Sequence, residues 1–421
     1  MYSDKVAFLQ KELKEKGLIV LEKRSCSNVT READYKAKKN HLSLSSFTEI
    51  LDINSTCAIV EPLVTFDMLV KQTISMGLMP PVVPEFKGIT VGGAFAGSSL
   101  ESSSGVYGQF SDTVLGVTVL LGNGEVVGAS RTENSDLFWG LSGSYGTLGI
   151  ILSLTIELIP AKKNMHIGIP GPFDETLIFD NKQIHLTAAM TNRPANFFIK
   201  PFSNWFYKRV EEKQNFIMPL YDYLFRYDRG AFWMASTFQG PSWLLQYLFR
   251  VKKEPSFKSS WEVPSLFRPL FSSRRLYNTL HKLPSSWFEK NFIVQDFYIP
   301  LSALDVFLKE IPLRPLWLCP VKPTHTPQLF SPHYLPCEKL VDVGVYGIDL
   351  EAPETSKRLE KLCHNLKGRK MLYAYNYYSS DTFWQIYDEK SYRHLRTKYY
   401  AEKAFLSIEH KVLNNLFREG R

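Results

Sequence analysis

The stretch PEFKGITVGGAFAGSSLESSSGVYGQFSDTV, residues 84–114, decides how the rest of the chain is read. Glycine and serine are so dense from Gly92 to Ser104 that neither a regular helix nor a packed strand is expected, and the backbone is predicted to loop. Without bulky side chains, main-chain N–H groups can converge on an anion, so a phosphate can be held there without Lys or Arg. Next comes TVLGVTVLLGNGEVV (113–127), two alternating apolar runs around Gly122-Asn123-Gly124, which predicts a hairpin. SDLFWGLSGSYGTLGIILSLTIELIP (135–160) then places Gly143, Gly146 and Gly149 before a β-branched strand. Two glycine-rich backbones thus bracket a hairpin. Either cluster alone reads most simply as a surface turn; the pair in this order does not.

Upstream, Val6, Leu9 and Leu13 recur at helical spacing and end at Gly17, which predicts a surface helix with a glycine cap. No apolar core follows a basic start, so a signal peptide is not expected, and no run approaches the length of a membrane helix. A strand is expected at Leu18–Leu21, then a polar turn RSCSNVT (24–30) in which Ser25, Ser27 and Thr30 offer hydroxyl donors. VTFDMLVKQTISMG fits an amphipathic helix with Phe66, Leu69, Val70 and Ile74 on one face and Gly77 past its end. The chain has 421 residues, net charge +8 and 44% hydrophobic residues, which favours a globular protein of two domains. Its five widely spaced cysteines form no Cys-x-x-Cys pair, so neither a disulfide framework nor a zinc site is expected, and a reducing compartment is.

The tokens TVGG (90–93), Tyr107-Gly108, Asp112 before a valine-rich strand, the NGE turn and SDLFW…GTLG (135–149) resemble the FAD-binding domain of the PCMH-type, or vanillyl-alcohol oxidase class, flavoproteins. Within that class, VEPLVT (60–65), VPE (83–85), ESSS (101–104), ENSDLFW (133–139) and IPAKK (159–163) are similar to the Delta(24)-sterol reductase family, plant diminuto proteins included. The likeness continues through IVQDFYIP (293–300), PLWLCP (315–320), VDVGVYG (341–347) and MLYAYNYY (371–378), and so covers nearly the whole chain.

The resemblance implies an α+β fold: a two-part FAD-binding domain over residues 1–160, then a substrate domain over 161–421 whose antiparallel sheet roofs the flavin, with a closing helix packed back near it. It also implies non-covalent FAD. On the first glycine-rich stretch the implied contacts are Pro84, Glu85, Thr90, Val91, Gly92, Gly93, Gly97, Ser98, Glu101, Ser102, Ser103, Ser104, Tyr107, Gly108 and Asp112. On the second they are Gly146, Thr147, Gly149 and Ile150. By residue type alone Asp112 is as readily a turn cap as a ligand-shell residue, and Glu101 more readily fixes the loop through backbone N–H groups than meets diphosphate. The family's Gly-Gly pair after the first strand is replaced here by RSCSNVT, and the amino-terminal membrane anchor of animal and plant members is not seen. No histidine in that turn points to covalent attachment. No G-x-G-x-x-G opens a helix and no phosphate loop ending in Gly-Lys-Ser/Thr occurs, which favours a flavin over a nicotinamide or triphosphate fold.

From Lys200 to Arg275 thirteen Lys or Arg stand against six Asp or Glu, among many aromatics from Trp205 to Trp261. Core packing is the first reading, a peripheral membrane face or lipid entrance the second, and nucleic acid the least supported, since no binding module accompanies the charge. Further on, FIVQDFYIP, RPLWLCPVK, KLVDVGVYG and KMLYAYNYY read as four strands. Their polar residues Gln295, Asp296, Asp342, Tyr346, Tyr373 and Asn376 are the candidates to face the flavin, with Tyr346 or Tyr373 as proton donor and Asp296 and Asn376 beside them.

The expected function is reduction of a side-chain carbon–carbon double bond in a sterol-like lipid, with FAD reduced by NADPH. Two alternatives stand beside it: another PCMH-type oxidase or dehydrogenase of a lipid or polyol, and a flavin-free binding protein keeping the fold. No H-E-x-x-H or G-x-S-x-G occurs and the nine histidines do not cluster, so no metal is expected. The expected setting is cytoplasmic or peripheral to a membrane.

Overall fold

A computed structural model of the chain describes residues 2–22, 28–31, 36, 40–237, 265–282, 285–337 and 339–413. Its first layer is a five-stranded antiparallel sheet. In chain order the strands are β1 (Ile50–Ile53), β2 (Cys57–Val60), β3 (Val114–Leu120), β4 (Val126–Ser130) and β5 (Ile150–Glu157), and in space they run β1-β2-β5-β3-β4. The β3–β4 hairpin closes at the predicted turn, where the Leu121 amide donates to Glu125 and Gly124 takes a φ of 87°. Helix α1 (Tyr2–Lys16) buries Leu9 and Leu13 against Leu120, Ile150 and Leu152 of this sheet and ends at Gly17, as its spacing predicts. Helix α2 (Phe66–Ser75) is capped by Thr65 and buries Phe66, Leu69, Val70 and Thr73.

The glycine-rich stretch departs from the expected loop. Val91–Ala96 form a short helix, α3, with the Thr90 hydroxyl accepting from Gly93, and Ser104–Tyr107 form a further turn of helix. Close packing outweighs the low helix propensity of glycine here. A Cβ on Gly92 would lie 2.7 Å from the Pro62 side chain, so the helix approaches the Pro62 loop only where no side chain intervenes.

The second layer is a six-stranded antiparallel sheet. Its strands are β6 (Glu175–Ile178), β7 (Gln183–Leu186), β8 (Phe292–Pro300), β9 (Leu316–Val321), β10 (Leu340–Ile348) and β11 (Arg369–Lys370), in the order β7-β6-β9-β10-β8-β11. β8 and β10 are buried almost end to end, which requires cover on both faces. Ile293, Phe297, Ile299, Val341, Val343 and Val345 pack under helix α4 (Ala352–Asn365). The alternate residues Val294, Asp296, Tyr298, Asp342, Gly344 and Tyr346 take the other face, because successive strand residues point to opposite sides. Residues 371–378, read from sequence as a fourth strand, are irregular; only Arg369 and Lys370 pair with β8.

Most of the described aromatics of the basic region are core, Phe202 and Phe267 being exposed. Trp205, Phe206, Tyr207, Tyr223, Phe225, Tyr227, Phe232 and Trp233 are buried, and Tyr227 stacks on Phe232 with ring centroids 4.2 Å apart. Trp243, Tyr247, Phe249 and Trp261 lie outside the described residues. Helix α5 (Glu389–Lys398) returns to the first layer. There the buried Arg396 donates to the carbonyls of Thr147, Ala401, Glu402, Phe405 and Leu406.

Candidate active site

A cavity of about 420 Å³ lies between the two layers. One wall is backbone with little side chain: Thr90, Gly92, Gly93, Gly97, Ser99, Gly146 and Gly149. The facing wall is the inner face of the six-stranded sheet, contributing Val294, Asp296, Trp317 and Tyr346, extended by Phe232, Met234, Leu276, Tyr277 and Tyr373.

Asp296 is the polar centre of that wall. It is buried, and each carboxylate oxygen accepts one phenol hydrogen: Oδ1 from Tyr346, and Oδ2 from Tyr373 at 2.7 Å. Tyr346 arrives from β10, whereas Tyr373 sits on a turn whose carbonyl accepts the Thr30 and Arg31 amides. Burial raises the Asp296 carboxyl, the two phenols lower it, and it comes to rest at about 6. Burial and the neighbouring Asp296 push both phenols well above the ordinary tyrosine range.

The bare wall is compatible with an extended diphosphate-bearing group. Beside it Thr30 Oγ1 and Arg31 Nη1 are buried with no hydrogen-bond partner, and both residues line the cavity. Arg31 itself is only 4% exposed; its Nε donates to Leu372 O at 3.0 Å and its guanidinium covers the Tyr145 ring at 5.1 Å. A buried guanidinium with an unused N–H is costly unless an anion completes it. Lys411 adds a second cation at this end, its ammonium donating to the carbonyls of Tyr145 and Gly146. Gly146 takes a φ of 69°, and a Cβ there would meet no atom closer than 3.9 Å. Donor set and cradle together fit FAD. Ser25 and Ser27 of the polar turn lie outside the described residues.

Of the residues expected from sequence, the cavity brings together Pro84, Glu85, Thr90, Gly92, Gly93, Gly97, Gly146, Gly149 and Ile150, with Asp296, Tyr346 and Tyr373 opposite. It does not reach Val91, Ser98, Glu101, Ser102, Ser103, Ser104, Tyr107, Gly108, Asp112 or Thr147. Val91 and Thr147 are core, and the Ser98 side chain is buried. Ser103 donates to Pro81 O, and Ser104 accepts the Glu101 amide. Tyr107 is part exposed, and Gly108 packs on the Asp112 side chain. Asp112 accepts from the Gln109 amide and Gln328 Nε2 and faces His333 Nε2 at 2.7 Å. Burial raises the Asp112 carboxyl, but these partners, His333 foremost, bring it below its usual range.

Glu101 does fix its loop, accepting the Ser103 amide, yet its main partner went unforeseen. Arg226 Nη1 lies 2.7 Å from Glu101 and Arg226 Nη2 lies 3.0 Å from Glu175, all three fully buried. Trp317 of the cavity wall donates to Glu175 at 2.7 Å. Asn376 is buried, accepts the Tyr378 amide and does not line the cavity. Gln295 faces away, toward Lys370 and the Tyr375 carbonyl. Sequence reasoning missed Arg31 and Lys411, because nothing local marks a lone cation as belonging to a glycine wall far away in the chain.

The FAD binding domain family matches residues 3–130. Delta(24)-sterol reductase from Homo sapiens is 30% identical over 423 aligned residues, covering 90% of this chain and 78% of that protein. The Delta(24)-sterol reductase homolog of Caenorhabditis elegans is 27% identical over 92% of this chain and 81% of its own length. The Delta(24)-sterol reductase of Arabidopsis thaliana is 26% identical over 90% of this chain and 78% of its own length. Identity of this extent across both layers places the chain in the Delta(24)-sterol reductase family.

Proposed function

We propose that the protein is an FAD-dependent reductase of a carbon–carbon double bond in the side chain of a sterol-like lipid, with NADPH as the electron source. The observation that carries this reading is Asp296 between two phenols in an otherwise largely apolar wall, facing bare glycine backbone. In this reading residues up to about 160 hold the cofactor and the later part holds the substrate. FAD, when bound, supplies the two-electron redox chemistry, and the protein supplies orientation, exclusion of water and a proton. Thr30, Arg31 and the glycine wall hold it, while Phe232, Met234, Leu276 and Val294 offer apolar surface to the alkene.

The acid follows from counting protons. With Asp296 ionised, both phenol hydrogens point at its two oxygens and none is free for the substrate. With Asp296 protonated, one phenol accepts from it and turns its own hydrogen to the cavity. Proton delivery therefore needs the neutral acid, and a carboxyl resting at about 6 is poised to supply it. Carbon leaves the site with one added hydrogen from this cluster and one from the cofactor.

Lipid access is the second part of the reading. Phe202, Leu266, Phe267 and Leu270 are more than half exposed, and Arg268 joins their two segments by donating to Phe202 O. Arg229 also binds the Lys200 and Pro201 carbonyls. The helix Ser273–Leu280 follows directly, and its Leu276, Tyr277 and Leu280 line the cavity. An apolar, basic surface continuous with the cavity wall supports peripheral contact with an anionic bilayer. Among the described residues no helix is long and apolar enough to cross a membrane.

The test is to purify the protein, record its flavin absorbance, bleach it with NADPH under anaerobic conditions and add sterols with and without a side-chain double bond. Recovery of colour with the unsaturated sterol alone, together with its saturated product, is expected. Recovery with oxygen but with no alkene would sink the reading.

A further inference from the structure

Three donors from two adjacent residues converge on one turn. The amides of Thr30 and Arg31 reach the Tyr373 carbonyl at 3.2 and 3.4 Å, and Arg31 Nε reaches the Leu372 carbonyl at 3.0 Å. That turn carries the phenol that donates to Asp296 Oδ2 at 2.7 Å. Its flanks are tethered independently: the Met371 amide donates to Asp296 O at 3.0 Å, and Tyr375 O accepts from Gln295 Nε2 and Lys370 Nζ. Leu372 and Tyr373 themselves belong to no strand ladder, so the stance of the phenol is set by what residues 30 and 31 do.

The same two residues line the cavity with polar atoms to spare, since Thr30 Oγ1 and Arg31 Nη1 are buried without a partner. A guanidinium is a rigid plane, so whatever fixes Nη1 fixes Nε with it. Left without an anion, the buried N–H penalises the seated pose of the segment; an anion on Nη1 removes that penalty and holds all three donors on 372–373. The segment touches the substrate side as well. His281 Nε2 lies 3.0 Å from the Val29 carbonyl, just past the end of the cavity-lining helix Ser273–Leu280.

We propose that Arg31 is a positioning residue that couples the anion of the bound cofactor to the Asp296–Tyr373 pair, which is assembled when Nη1 is engaged and loosened when it is not. The inference deepens the FAD-dependent reading and rests on it. No covalent bond is made or broken in this coupling; it acts only on where the Tyr373 phenol stands. The consequence is an order of assembly. The phenol meets Asp296 firmly only after the glycine wall is occupied, so the proton-donating cluster and the cofactor are present together.

Amide hydrogen exchange of flavin-stripped and FAD-loaded wild type tests this without any substitution. FAD is expected to slow exchange at Thr30 and Arg31 about tenfold more than at Leu121, whose amide closes the distant hairpin and reports general stabilisation. Arg31→Met and Arg31→Lys, both saturated with FAD, should lose this selective protection, because an ammonium is a point charge that cannot serve Leu372 O and an anion in one plane. In the same loaded proteins the rate of flavin reoxidation by alkene, divided by the rate of its reduction by NADPH, should fall about tenfold. A general loss of folding would not split the two half-reactions. Equal protection at all three amides in wild type, or an Arg31→Lys protein that matches wild type in protection and in rate ratio, would overturn the coupling. If FAD binds but no alkene is reduced, the functional reading alone fails and the exchange comparison still decides the coupling; if no FAD binds, both fail.

Discussion

The phenol of Tyr346 bends back along its own strand, over Gly344, to donate its hydrogen to Asp296 on the neighbouring strand. Gly344 makes this possible, because a Cβ there would stand 2.6 Å from the Tyr346 hydroxyl and 2.7 Å from the ring carbon bearing it. Gly344→Ala should therefore swing the phenol off Asp296 without touching the glycine wall. A fall of about tenfold or more in the rate of flavin reoxidation by alkene is expected, with flavin content unchanged. Tyr346→Phe and Tyr373→Phe, read by the same single-turnover experiment, separate the two phenols: the one that transfers the proton should lose about a hundredfold. Full rates in both would remove tyrosine from the proton path.

Arg31 makes a prediction about the cofactor alone. Its unused Nη1 is a charged donor in a buried place, and hydrogen bonds to charged groups contribute about 1.5–3 kcal/mol. Arg31→Met should weaken FAD binding by about ten- to a hundredfold. Fluorescence titration of the flavin-stripped protein measures it, and an unchanged dissociation constant would mean that Arg31 serves only Tyr145 and Leu372.

Asp112 separates a turn cap from a ligand. Its partners are all protein groups, so Asp112→Asn should lower the melting temperature while the folded fraction keeps its flavin. The sign with pH follows from the lowered carboxyl. Stabilisation is present above the unfolded value of about 3.9 and is lost as pH falls through the folded value below it. Acid titration of melting temperature in the two proteins should show a steeper loss in wild type.

Arg226 should matter most to stability. Burial lowers its guanidinium and the carboxylates raise it further, so the charge persists between Glu101 and Glu175. Arg226→Met leaves two buried carboxylates without their cation, at a cost of about 3–5 kcal/mol. Denaturant unfolding would register it, and Trp317, which shares Glu175, should report the change in fluorescence.

The exposed apolar surface is tested with vesicles. Replacing Phe202, Phe267 and Leu270 together by serine should abolish sedimentation with phosphatidylserine vesicles and leave reduction of detergent-dispersed sterol intact. Equal sedimentation of the triple variant would place the membrane contact elsewhere.

Much of this arrangement could be read in advance, and the failures have identifiable causes. The hairpin and both amphipathic helices followed from spacing, because their side chains pack locally onto one sheet. Of the four strands expected in the last third, three are long strands of the six-stranded layer and followed from β-branched runs. Strand period separates the polar candidates: Gln295 and Asp296 are neighbours and cannot share a face, so only one can meet the cavity. Lys370 and Glu360 form the buried pair that Gln295 joins on the other side. The stretch 371–378 looks like a strand by composition, but its Tyr373 carbonyl receives the Thr30 and Arg31 amides rather than a ladder. Glu101 next to three serines gave no sign of Arg226, since that pair is made by the fold and not by sequence proximity.

Arg396 and the residues just after it have a consequence for how the protein is made. Tyr400 and Ala404 seat against Gly122 of the β3–β4 turn so closely that a Cβ would lie 1.9 Å from Tyr400 O, and Phe405 bridges to Ile19. Lys411 reaches the carbonyls of Tyr145 and Gly146 from the same late segment. The glycine-rich layer is thus sealed by a segment that is synthesised well after it. Flavin capture is expected to wait for this segment, and nascent chains stalled before Arg396 should emerge without colour.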